Sequence, residues 1–210
     1  MTLIEKLQKR YATKKFDSTK KVSEDKIQRI LEAANLSASS IGIQPYKFVL
    51  VRDEEKRKAL VEHSFAQNQV VDASHLLVIA IRTDIDEKYL ENYVDFMEVE
   101  RGLPKGALDA YKEMAAGFLK MQDTPEKMNT WTAKQVYLAM GTLLIACAEE
   151  GVDSVPMEGF VPPMYDEVLG LKEKNLASVL VLPIGYGAED DQYKQLKKVR
   201  RPLNYMIEEI

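Results

Sequence analysis

Val136-Tyr137-Leu138-Ala139-Met140-Gly141-Thr142-Leu143-Leu144-Ile145-Ala146-Cys147-Ala148 is apolar nearly all round when wound as a helix. Such a helix has to be covered on every side. In a chain of 210 residues that points to the centre of a core shared by two subunits. The run is too short to span a bilayer. Upstream, Thr124-Pro125-Glu126 supplies an N-cap and a proline at the first helical position. Downstream, Gly151 ends the helix.

Working outward, His75–Ile81 is a continuous apolar run of strand length, expected to be buried on both faces. Ala177–Tyr186 reads as a second buried strand and Lys47–Arg52 as a third. Helices alternate with them. Thr2-Leu3-Ile4-Glu5 fits a capping box. Ser23 caps an amphipathic helix over Glu24–Leu36, with Ile27, Ile30, Leu31 and Ala34 on one face. Asp53 caps another to about His63, and Pro163–Leu169 ends at Gly170. Asp84–Gln122 reads as an excursion of two helices broken at Gly102-Leu103-Pro104. At the C-terminus Leu203, Tyr205 and Ile207 alternate as in an edge strand. No repeat or linker divides the chain, so residues 1–210 are read as one domain.

The bulk properties exclude several classes. Hydrophobic residues make up 46% and charged residues 30%, with a net charge of -4. A mildly acidic chain lacks the broad basic surface that nucleic acid requires. Cys147 is the single cysteine, so neither an internal disulfide nor a thiol-ligated metal is expected. That suits a reducing cytoplasm, and Met1–Lys6 has no signal-peptide character. Cys147 and His75 read as structural residues, and Trp131, Tyr111 and Phe118 as packing aromatics, with a gating role at a binding site as the alternative.

Against this background two basic stretches stand out, Arg10-Tyr11-Ala12-Thr13-Lys14-Lys15-Phe16 and Lys198-Val199-Arg200-Arg201-Pro202. Guanidinium forms paired, charge-assisted hydrogen bonds to phosphate oxygens, and ammonium supplies a mobile point charge. Folding is expected to bring both ends to one anion. Read alone, such clusters are also compatible with solvated chain ends.

Together with Ser39-Ser40-Ile41-Gly42-Ile43-Gln44-Pro45-Tyr46, Asp72-Ala73-Ser74-His75, Ala133–Leu138, Val155-Pro156-Met157-Glu158-Gly159-Phe160 and Gly170–Lys174, these stretches occur in an order that resembles the FMN-dependent nitroreductase family. The likeness is to its oxygen-insensitive NAD(P)H nitroreductase and flavin reductase branch. It implies an α+β fold with a central mixed sheet flanked by helices. It also implies an intertwined homodimer with FMN at the subunit interface and a C-terminal segment, 198–210, that reaches the partner.

The resemblance also implies roles. Arg10, Tyr11, Ala12, Lys14, Lys198 and Arg200 would surround the FMN phosphate and ribityl chain, with Lys14 also near the pyrimidine side of the ring. Pro156, Met157, Glu158 and Gly159 would pack along the ring, with a backbone N–H of Glu158 or Gly159 near N5. Ser39, Ser40 and Gly42 would come from the other subunit, and Gln69 would meet the ring's polar edge. Ala12 stands where a hydroxyl is common in the family, and Gln69 where lysine is common. The implied activity is ping-pong, two-electron transfer from NADH or NADPH to nitroaromatics, quinones or flavins, with no catalytic side chain and no metal. The alternatives are a flavin-storing protein without turnover and a regulator that binds another phosphate ligand.

Overall fold

The computed structural model describes residues 1–210. Thirteen elements run in the order α1 (Leu3–Lys9), α2 (Glu24–Asn35), β1 (Tyr46–Val51), α3 (Glu54–Ala59), α4 (Gln69–Asp72), β2 (His75–Arg82), α5 (Glu87–Glu100), α6 (Asp109–Lys120), α7 (Pro125–Glu149), β3 (Asp153–Ser154), α8 (Pro162–Leu169), β4 (Leu176–Gly185) and α9 (Leu203–Met206). The sheet has the order β1-β2-β4-β3. All its strand pairs are antiparallel. The expected mixed character is confined to one parallel bridge, Ala12 to Ser154. That bridge lays the first basic segment beside the edge of the sheet.

Strand β2 is buried over seven of its eight residues. Its pleat sends Leu77, Ile79 and Ile81 into a layer with Ile27 and Ile30 of α2 and Val136, Ala139 and Leu143 of α7. Leu76, Val78 and Ala80 enter the opposite layer, with Leu60, Val70, Tyr165 and Leu169. Truncating a fully buried residue such as Ile79 to alanine is expected to cost about 2–5 kcal/mol.

The local signals act as their chemistry requires. Thr2 and Glu5 form the reciprocal capping box. Asp53 accepts from the Glu55 and Lys56 N–H groups, and Thr124 from Lys127 N–H. Gly151 and Gly170 end their helices at φ +65° and +62°, a region that favours glycine. Ser23 holds its N-cap position without a side-chain cap bond.

Two expectations are not met within the single chain. Helix α7 is uncovered along one side, where Tyr137, Leu138 and Ile145 are exposed, as is Gly141 between them. The uncovered residues form one stripe at helical spacing. The tail is also not a strand within this chain. Residues 203–206 form one exposed helical turn after Pro202, and Ile207–Ile210 lie free of any strand pairing. An isolated tail has no second sheet edge to complete its backbone hydrogen bonds.

The excursion, α5 and α6, forms a third apolar cluster around Trp131 and Ile43. Three of its tyrosines hold the loop before β1. Tyr89, Tyr93 and Tyr111 donate to the carbonyls of Ile43, Gly42 and Ile41. The loop needs that support, because Ile41 sits at φ +49°, which a β-branched residue rarely adopts.

Candidate functional site

The two basic stretches meet. Arg10, Tyr11, Ala12 and Lys14 line one cavity of about 430 Å³ with Pro156, Lys198 and Arg200. Lys9, Lys194 and Lys197 add to its rim, and no carboxylate residue lines it. A larger concavity, about 1040 Å³ between α5 and α6, has the opposite character. Five carboxylates and two lysines line it, the wrong balance for an anion.

The electrostatics of the smaller cavity are those of an anion site. Arg10 is half-buried, and its Nε has no hydrogen-bond partner. Burial, then the nearby Arg200 charge, lowers the Arg10 pKa. Burial, then Arg10 and Arg200, lowers that of Lys198. These like charges repel, and a phosphate among them would relieve the repulsion while giving Arg10 Nε an acceptor. Lys198 Nζ donates to the carbonyls of Leu7 and Arg10 at the end of α1, where a cation is favoured.

One acid outside the expected set fastens the ends together. The Asp191 carboxylate is buried. It accepts from the Tyr11 hydroxyl at 3.0 Å, from the backbone N–H groups of Lys14 and Lys15 at 2.9 and 3.2 Å, and from Tyr193 N–H at 3.1 Å. Burial raises its pKa, but these donors outweigh burial and leave the carboxyl below its ordinary value. Gly187 lies under Tyr11, where a Cβ would stand 2.8 Å from the hydroxyl.

Pro156 also lines an adjoining cavity of about 480 Å³ with Tyr137, Met140, Gly141, Leu144, Glu158 and Leu180. This wall is largely apolar and suits a flat ring. Val155 and Met157 donate to Pro183 and Val181, and Val181 donates back to Met157. The Met157 side chain is buried in the core, so this residue anchors the loop from behind. The next two residues differ: neither the Glu158 nor the Gly159 N–H donates a hydrogen bond within the chain.

The remaining expected residues lie elsewhere. Ser39, Ser40 and Gly42 do not line either cavity. Gln135 Oε1 accepts from Ser40 N–H at 2.7 Å, and Ser39 Oγ accepts from Gln44 N–H at 3.1 Å. Gln69 is buried at the start of α4. The amide that reaches the 158–159 turn is that of Gln67, whose Nε2 donates to Gly159 O at 3.0 Å. Asp191, Gln67 and Tyr137 were invisible as site residues because their contacts join distant positions. The amide-rich composition of residues 67–69 was the one available signal.

His75 is structural, as expected. Its Nδ1 meets Ser74 Oγ at 3.0 Å and its Nε2 meets Glu24 at 3.1 Å. Cys147 is buried, and burial pushes its thiol up to about 12.

Comparison with known proteins agrees with this fold. The family model described as the nitroreductase family matches residues 7–186. The chain is 33% identical over 216 aligned positions to the oxygen-insensitive NAD(P)H nitroreductase of Enterobacter cloacae, covering 100% of each. A nitroreductase family protein from Streptococcus pneumoniae TIGR4 superposes with a TM-score of 0.84 at 24% identity, covering 100% of both chains. A structure from Exiguobacterium sibiricum solved in complex with FMN gives a TM-score of 0.81 at 21% identity, covering 100% of this chain and 98% of that one.

Proposed function

The chain belongs to the nitroreductase family, and from that premise we propose that it is an FMN-dependent NAD(P)H oxidoreductase. The observation that carries the proposal is the convergence of Arg10, Lys14, Lys198 and Arg200 on a cavity without carboxylates, beside an apolar wall with free backbone donors. The unpartnered Arg10 Nε fits a phosphate oxygen. FMN, when bound, supplies two-electron exchange between NADH or NADPH and an acceptor such as a nitroaromatic, quinone or free flavin, in a ping-pong order.

The chain's own part is binding and orientation. Arg10, Lys198 and Arg200 hold the phosphate, and Lys14 provides a mobile cation nearby. Pro156 and the Glu158–Gly159 turn bound the ring, the turn offering N–H donors to its acceptor atoms. Ser39, Ser40 and Gly42 do not join this half-site and serve the site across a subunit boundary, while buried Gln69 lines neither cavity. No side chain is required as a general acid.

The functional unit is a homodimer of single-domain chains. The exposed α7 stripe is the apolar face that a second copy covers, and the exposed apolar tail reaches the partner. The Enterobacter cloacae relative, named an NAD(P)H nitroreductase, supports the choice of electron donor.

The test is anaerobic mixing of the FMN-loaded protein with NADH and, separately, NADPH. An oxidoreductase loses its yellow absorbance with at least one of them and regains it when menadione or nitrofurazone is added. A flavin-storing protein stays yellow with both, and a regulator for another phosphate ligand takes up no FMN.

A further inference from the structure

The Glu158–Gly159 turn is held from two sides by side chains outside the lining of the phosphate cavity. On one side the Tyr137 hydroxyl donates to Glu158 Oε1 at 2.6 Å. On the other, Gln67 Nε2 donates to Gly159 O at 3.0 Å. The fit on the second side is close, since a Cβ on Gly159 would stand 2.9 Å from Gln67 Nε2. Between the two clamps lie the consecutive N–H groups of Glu158 and Gly159, both without an acceptor. Ahead of them the backbone is fixed by the two-way pairing of Met157 with Val181. Behind them Phe160 N–H closes onto Glu158 O at 2.9 Å.

Unpaired N–H groups on a chain segment fixed at both ends form a preorganised donor pair. Their aim depends on the turn's orientation, and the two side chains set that orientation. Tyr137 comes from the rigid helix α7 and also lines the apolar wall. The Glu158 carboxylate in turn raises the Tyr137 pKa to about 12, so the phenol stays protonated and able to donate at any ordinary pH.

We infer that Tyr137, through the Glu158 carboxylate, and Gln67, through the Gly159 carbonyl, are positioning residues that aim the Glu158 and Gly159 N–H groups at the flavin ring. The inference deepens the proposed function and rests on it. It assigns the Glu158 side chain a purpose, although the group itself faces Tyr137 rather than a reacting atom. Donation to an acceptor nitrogen favours the oxidised ring, which accepts there, over the reduced ring, which carries a proton at that position. Releasing the turn should therefore weaken oxidised FMN more than reduced FMN.

The experiment uses full-length protein and FMN itself. FMN affinity is measured by titration and the two-electron midpoint potential by dye equilibration, for the wild type, Tyr137→Phe, Glu158→Ala, the double variant and Gln67→Ala. Each single variant is expected to bind oxidised FMN roughly fivefold more weakly and to raise the midpoint by about 20 mV, at 29.6 mV per decade for two electrons. Because Tyr137 acts through Glu158, the double variant should lose no more than the larger single loss. Circular dichroism and a thermal melt verify that each variant is folded. Should Tyr137→Phe misfold, Gln67→Ala tests the other clamp by the same shift. Wild-type potentials in the folded variants, or additive losses in the double variant, overturn the inference while leaving the proposed function intact. A wild type that binds no FMN overturns both.

Discussion

The Tyr11 hydroxyl donates to Asp191 Oδ2 at 3.0 Å, joining positions 180 residues apart. Through the same carboxylate, the backbone of Lys14 and Lys15 is fixed to the segment that leads to Lys198 and Arg200. Asp191 is therefore the residue that makes two separate basic clusters into one. Replacing it with alanine leaves Tyr11 and three backbone donors unmatched. Asp191→Ala is expected to destabilise the fold by about 3 kcal/mol, a fall in Tm of about 6–12 °C, and to weaken FMN binding at least tenfold by titration. Its depressed pKa makes part of this stability acid-sensitive. The stabilisation is full above the unfolded value of about 3.9 and is lost as pH falls through the lower folded value.

A second acid-sensitive component comes from His75. Burial lowers its pKa, with Glu24 opposing through a hydrogen bond. The unfolded chain takes up this proton near pH 6.5, whereas the folded chain takes it up only at lower pH. Stability should thus be full above about pH 6.5 and fall as pH drops through the folded value, by at most about 1.4 kcal/mol per pH unit. Glu24 stays ionised over this range, held at about 2 by Arg52 and then His75. Urea unfolding at intervals from pH 8 to pH 5 should show the decline in the wild type and a shallower one in His75→Gln.

Arg57 is a buried cation without a carboxylate partner. Its guanidinium donates to the carbonyls of Val70, Val71, Ala73 and Ser74, closing the end of α4. Lysine cannot reproduce that fork. Arg57→Lys should lower stability by about 2–4 kcal/mol, read as an earlier midpoint in thermal or denaturant unfolding.

The exposed stripe on α7 gives a prediction about assembly. Leu138 and Ile145 are 52% and 40% exposed. A charge at either position is incompatible with burial against a second copy. Leu138→Asp should move the light-scattering mass from twice the 23.9 kDa chain to the chain itself. It should also reduce FMN occupancy, since in the proposed dimer Ser39, Ser40 and Gly42 complete the partner's site.

What the sequence revealed follows the range of each interaction. Strand β2 was legible because seven buried positions in a row leave no solvent face to encode. Helix α7 and its ends were legible from Thr124, Pro125 and Gly151, whose chemistry is local. The resemblance carried Arg10, Lys14, Lys198 and Arg200 to one cavity, which folding then assembled. Asp191, Gln67 and Tyr137 were not legible, because hydrogen bonds across 177, 92 and 21 positions leave no periodic trace. Leu203, Tyr205 and Ile207 alternate as a strand would, yet lie in and just after a helical turn. Alternation records the face a segment can bury but not whether a neighbouring edge is present.

The central claim is that cations from both ends of the chain hold one flavin by its phosphate. Titration of the wild type and of Arg10→Ala and Arg200→Ala with FMN, and in parallel with riboflavin, tests it most directly. FMN is expected to bind the wild type roughly 100-fold more tightly than riboflavin, with most of that preference gone in both variants, because each charge-assisted contact contributes about 1.5–3 kcal/mol. Equal affinity of the wild type for FMN and riboflavin, or a preference that survives both substitutions, would contradict it.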